Sequence, residues 1–224
     1  MIVDRPSRTT LAYVGPFCVF VASMGLERLL GIGGGWGYAL RCSLTLVAIL
    51  AFSRHAISFK VRNPISSLAA GFAVFLLWVA PDQLWNYRHH WLFESALTGA
   101  AVSSIPTQLR HNVAFLVLRT GGSALLVPII EELFWRAWLM RWVISPNIET
   151  VPLGTYDRLA FWVTAALFAA EHGPYWEVGL VAGIAYNWWM VRTRSLGDCI
   201  LAHGVTNLAL GLFVIWSGQW QYWL

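Results

Sequence analysis

Residues 65–80 read ISSLAAGFAVFLLWVA, an uncharged run that closes on Pro81. Wound as a helix at about 1.5 Å per residue, it crosses most of a hydrocarbon core roughly 30 Å thick. The run does not alternate polar with apolar, as a barrel strand would, and the helix is the other structure that satisfies every backbone group in lipid. Toward the N-terminus lies a polar stretch, Ser53–Asn63, with Arg54, Lys60 and Arg62. Before it come two more apolar segments, Leu11–Leu30, with Glu27 and Arg28 near its end, and Trp36–Phe52, with Arg41, joined by a turn at Gly31–Gly35. Arg5 and Arg8 precede the first segment, so the positive-inside rule predicts a cytoplasmic N-terminus and a cytoplasmic Ser53–Asn63 loop. No small-x-small cleavage site follows the first segment, which therefore reads as a retained membrane helix.

Toward the C-terminus, Asp82–Ser95 is aromatic and His-bearing, as expected at a membrane interface. Asn112–Leu118, Ser123–Ile130 and Leu133–Ile144 follow, and the Gly121-Gly122 pair predicts two spans broken there rather than one bent helix. Leu159–His172 is only about 20 Å long as a helix and stops at Gly173-Pro174, which leaves His172 at depth in the bilayer. Trp176–Val191 and Leu196–Trp216 complete the series. The expected fold is all-α, a polytopic membrane bundle of seven or eight transmembrane helices forming a single integral membrane domain over residues 1–224. An eight-helix count puts Arg192 and Arg194 on the outer side, against the positive-inside rule.

The whole composition agrees with the run at 65–80. The chain is 58% hydrophobic and 12% charged, against about 25% charged in soluble domains, so lipid is its solvent. The net charge of +4 does not indicate nucleic acid, because Lys and Arg fall in short clusters between apolar runs. Cys18, Cys42 and Cys199 lie in apolar segments without metal spacing and are expected to be buried packing residues.

Three polar points stand inside this apolar background. In Pro128-Ile129-Ile130-Glu131-Glu132-Leu133-Phe134-Trp135-Arg136, two carboxylates and an arginine share one segment. Each ionised group costs ~3 kcal/mol at the bilayer centre on insertion scales, which neutral packing does not accumulate. On a helix Glu132 and Arg136 stand i,i+4 and can pair, while Glu131, rotated by about 100°, faces elsewhere. One carboxylate is then neutralised and the other left available; the plainer reading is a salt-bridge network holding helices together. Phe168-Ala169-Ala170-Glu171-His172 places a histidine at a helix end, where the dipole and burial act in opposite senses on its charge. That suits a proton carrier, although a helix cap is the plainer role, and Glu171 reads as its solvent-facing neighbour. In His203-Gly204-Val205-Thr206-Asn207, imidazole and carboxamide lie on one face and could both donate to one point, as an oxyanion hole requires, or simply bond helix to helix.

Together, and in this order, the three resemble the E-E-x-x-x-R, F-x-x-x-H and H-x-x-x-N signatures of the CAAX-type prenyl-protein endopeptidases and bacteriocin-processing or immunity membrane proteins. The resemblance covers roughly residues 112–216, and Gly183, Tyr186 and Thr193-Arg194-Ser195-Leu196 look like the connecting region of that family, with Arg194 where a glycine is usual. The chain also resembles the bacterial branch found alongside exosortase protein-sorting systems.

The resemblance implies an intramembrane endopeptidase of the bacterial inner membrane. Glu131 with His172 would activate water and His203 with Asn207 would stabilise the oxyanion, with Glu132, Arg136 and Phe168 as structural support. The implied partners are a peptide or protein substrate, the lipid bilayer and a protein-sorting system. No cofactor is expected. A zinc ion held by Glu131, His172 and His203 is the variant, matching a catalytic zinc set in residue type but without H-E-x-x-H spacing. A non-catalytic membrane binding or bacteriocin-immunity protein is the alternative from a different class. Proton-coupled transport is a third, for which no internal repeat is found.

Overall fold

The computed structural model describes residues 8–90, 92–93 and 99–223. Arg5, and Trp91, Glu94 and Ser95 of the interfacial stretch, lie outside the described residues. Among those described there are seven continuous helices: α1 Arg8–Leu30, α2 Gly34–Ser53, α3 Pro64–Trp85, α4 Val113–Ile144, α5 Arg158–Glu171, α6 Trp176–Thr193 and α7 Leu196–Ser217. Five of them, α1 to α4 and α7, are long and apolar enough to cross a membrane. Large apolar side chains stand on the outside, among them Leu29, Trp36, Ile65 and Trp216, each more than four-fifths exposed. In a multi-pass membrane protein these are the lipid-facing positions, where apolar exposure carries no hydrophobic penalty. Cys42 and Cys199 are buried as expected, but Cys18 is exposed on α1, where a thiol is apolar enough for lipid.

Two boundaries differ from the sequence reading. The apolar run of α3 does not stop at Pro81 but continues to Trp85, closed by Asn86 in the left-handed region. Proline removes one amide donor, while the next residue, Asp82, is fixed from outside the helix by Tyr222 (2.8 Å) and Arg88 (3.4 Å). The predicted break at Gly121-Gly122 is absent. Both glycines are helical, and α4 runs unbroken through two wider π segments, Gly122–Leu126 and Leu133–Leu139. Gly122 is small for packing rather than for bending, since a Cβ there would stand 2.4 Å from the Tyr38 hydroxyl and 2.9 Å from Cys42 Sγ of α2.

Joining those two segments removes the conflict over Arg192 and Arg194. Ser195 Oγ donates to Lys60 O (3.1 Å), so the α6–α7 connection lies on the same face as the Arg54–Arg62 loop. Asp198, in the first turn of α7, accepts from the amides of Arg62 and Asn63 and from Ser67 Oγ, tying the start of α3 to the start of α7. Thr9 meets Glu149 on this basic face. On the opposite face Ser103 bonds Trp223 O, and Arg88 pairs with Glu177 (2.6 Å) beside Asp82. Arg194 closes α6 at φ +49, the left-handed conformation that the glycine usual at this position would take without strain.

Candidate active site

The π segments of α4 bracket Glu131 and Glu132 and bring both inward, each at least nine-tenths buried. Bulges of this kind re-aim side chains and are frequent at functional sites. Glu132 and Arg136 are fully buried. Arg136 Nη1 donates to Glu132 Oε1 (3.1 Å), Nε donates to Asn187 Oδ1 (3.1 Å), and the guanidinium lies 4.3 Å from the centroid of the Phe168 ring. Asn187 Nδ2 donates onward to Phe161 O (2.8 Å), so the ion pair of α4 is anchored through α6 to the backbone of α5. A buried pair is costly to desolvate, and these contacts engage Arg136 Nε and Nη1 and Glu132 Oε1, while Glu132 Oε2 and Arg136 Nη2 are buried without a hydrogen-bond partner.

The second partner of Glu132 Oε1 is His203 of α7, whose Nδ1 lies 2.9 Å away. With that nitrogen bearing a proton toward the carboxylate, the other ring nitrogen faces Glu131, with Nε2 3.9 Å from Oε2, beyond a direct hydrogen bond. Tyr186 stacks on the imidazole, with centroids 4.9 Å apart and planes 21° apart. Its hydroxyl is fixed by Thr206 Oγ1 (2.7 Å), which is itself held against Gly71 O (2.7 Å). A Cβ at Gly71 would be 2.2 Å from Ala202 O, so this approach of α3 to α7 admits no side chain. The ring of His203 is thereby clamped in one orientation.

Asn207 is one turn further along α7, and its Nδ2 donates to Ser123 O (2.8 Å). The carbonyl is open for a backbone reason. Val127 N–H bonds Gly122 O in π register, so the amide at 128 would be next to reach Ser123 O, but residue 128 is proline. One of the two amide hydrogens of Asn207 is thus committed, and the second is left to serve the site.

His172 caps α5, with Nδ1 2.7 Å from Phe168 O. A backbone carbonyl only accepts, so Nδ1 carries the proton and Nε2 keeps a lone pair. Trp78 and Phe168 hold the ring at centroid distances of 5.3 and 4.6 Å. Glu171 is exposed, as its sequence position suggested, yet it also accepts from Trp135 Nε1 (3.2 Å) and faces the same cavity as Glu131.

A cavity of about 860 Å³ brings Glu131, His172, His203 and Asn207 together with Phe168 and Glu171. Glu132 and Arg136 do not line it. Glu131 Oε2 is buried without a hydrogen-bond partner. The doublet is therefore divided, one carboxylate consumed in an ion pair and the other open to whatever enters. Among the described residues no three His, Cys, Asp or Glu side chains form a cluster able to hold a metal ion. The sequence reading named Tyr186 only as part of the connecting region and missed the supporting residues Asn187, Trp135 and Trp78. Asn187 alone gave a signal, as an uncharged polar residue in an apolar helix.

Residues 112–209 match the family model described as Type II CAAX prenyl endopeptidase Rce1-like. No curated protein and no solved structure matches the chain.

Proposed function

We propose, from the match of residues 112–209 to the Rce1-like model of type II CAAX prenyl endopeptidases, that this chain is a glutamate-dependent intramembrane endopeptidase in which Glu131 and His172 activate water. The observation that carries this reading is the unpaired, buried Glu131 Oε2 on the wall of the cavity, next to a Glu132 already neutralised by Arg136. Catalysis by a carboxylate base needs a nucleophile within hydrogen-bond reach of an oxygen not already engaged. A water between Glu131 and the Nε2 lone pair of His172 gives up a proton as its oxygen attacks the scissile carbonyl carbon. The proton passes to the leaving amine as the C–N bond breaks.

His203 and Asn207 receive the charge that develops on the carbonyl oxygen. Donation to the oxyanion uses the His203 Nε2 position, the ring nitrogen that faces Glu131 while Nδ1 lies against Glu132. Asn207 adds the amide hydrogen not used by Ser123. The chemistry is metal-free in this reading; zinc remains the variant that stoichiometric metal in purified protein, lost in His172→Ala, would favour.

The protein works in the cytoplasmic membrane of a bacterium on a peptide or protein substrate, in association with a protein-sorting system. The test is cleavage of a peptide library by detergent-purified protein, wild type against Glu131→Gln at equal folded yield. Activity in the wild type and at least a 1,000-fold loss in the variant is expected. Equal peptide binding by both without cleavage would favour a binding or immunity protein.

A further inference from the structure

The cavity is strongly lopsided. It is lined by the second half of α1 and the α1–α2 turn (Met24 to Gly34), by Ser104–Pro106, by the first part of α4, by the end of α5 and by Tyr222 and Trp223. No residue of the Arg54–Arg62 loop, of the α4–α5 connection or of the α6–α7 connection reaches it. The site therefore lies near mid-bundle and communicates with one face, the face opposite the basic connections.

The charges identify that face. Arg8, Arg54, Lys60, Arg62, Arg158, Arg192 and Arg194 stand in or beside the connections of the closed face, with Glu149, Asp157 and Asp198 as its acids. On the open side the cations among the described residues are Arg28, Arg41, Arg88, Arg110 and Arg119, of which Arg41 is paired with Glu27 and Arg88 with Asp82 and Glu177. Lys and Arg near the ends of spans are retained in the cytoplasm. We infer that the cavity opens to the extracytoplasmic side, so that the substrate is an exported polypeptide, or the outer end of a membrane-anchored one, cleaved after its translocation. The choice of substrate rests on the protease reading, whereas the orientation does not.

Ser104 and Gly33 both line the cavity, Ser104 is exposed, and a Cβ at Gly33 meets nothing within 4 Å, so cysteine fits at either without repacking. Arg192 is exposed on the closed face. In a background with Cys18, Cys42 and Cys199 replaced by alanine, Ser104→Cys and Gly33→Cys should react with a membrane-impermeant maleimide in intact bacterial spheroplasts. Arg192→Cys should react at least tenfold less there and fully in inverted vesicles. The reverse pattern, or equal labelling of all three from both sides, overturns the orientation whatever the protein cleaves. Peptides cut by the detergent-solubilised enzyme should also be cut when added outside spheroplasts. Cleavage in detergent but not there overturns the substrate assignment alone. Absence of cleavage in both overturns the protease reading, and the labelling still decides the orientation.

Discussion

A single hydrogen-bonding difference separates the two adjacent glutamates. Glu132 Oε1 has a guanidinium and an imidazole within 3.1 Å, whereas Glu131 Oε2 has only a histidine nitrogen at 3.9 Å. Conservative replacement of the two should therefore act on different properties. Glu132→Gln removes the anion from Arg136 and His203, and stranding one member of a buried pair costs about 3–5 kcal/mol; a clear fall in the melting temperature of the detergent-solubilised protein is expected. An unchanged melting temperature would show that the pair is not structural. Glu131→Gln has no ion pair to lose and should melt near the wild type while losing turnover. For the proposed oxyanion donors, His203→Ala or Asn207→Ala should lower kcat/KM by roughly 100–1,000-fold, about 3 kcal/mol of transition-state stabilisation. Unaltered kcat/KM at normal yield would remove either residue from that role.

At the scale of the element, α4 and α6 show how local backbone geometry serves the site. The register of α4 widens on both sides of the glutamates, and with Pro128 this frees the carbonyl that Asn207 uses. Helix α6 carries Tyr186 against His203 and Asn187 against Arg136 from adjacent positions, and then ends on Arg194 in a left-handed turn. A non-glycine residue in that conformation is strained by roughly 1–2 kcal/mol. Arg194→Gly relieves the strain and gives back part of the gain as unfolded-chain entropy, for a net stabilisation of about 0.5–1 kcal/mol. The check is a small rise in thermal midpoint with activity retained; a fall would mean that the arginine side chain supplies more than its backbone costs.

In the whole molecule the site is suspended between two braced faces. On the basic face Asp198 gathers the amides of Arg62 and Asn63 and the hydroxyl of Ser67. On the open face Arg88 binds Asp82 and Glu177, donates to Pro174 O and lies 4.1 Å from the centroid of Tyr175, the last residue of the turn that follows His172. Arg88→Ala would leave two partly buried carboxylates uncompensated, a loss of about 3 kcal/mol or more. It should also impair turnover, by loosening the Gly173–Tyr175 turn next to His172. Thermal unfolding and cleavage assays run in parallel would test this, and a variant as stable and as active as the wild type would refute the brace.

The sequence by itself determined the class of fold. Uncharged runs such as 65–80 demand lipid, and lipid demands helices, whatever the tertiary arrangement. It also located Glu131, Glu132, Arg136, His172, His203 and Asn207, because each ionisable or polar group stands out where insertion is costly. Local reading could not join α4 across Gly121-Gly122, since a glycine pair that breaks a helix and one that admits a neighbouring helix look alike until Tyr38 and Cys42 are placed beside it. Nor could it extend α3 past Pro81, where partners distant in sequence hold the last turn. The split of the glutamate doublet into a paired and an unpaired carboxylate needed α7 to bring His203 and α6 to bring Asn187. The face on which the cavity opens depended on the same long-range packing, because the helix count settles the side of Arg192 and Arg194 and contacts far apart in sequence decide which loops surround the cavity.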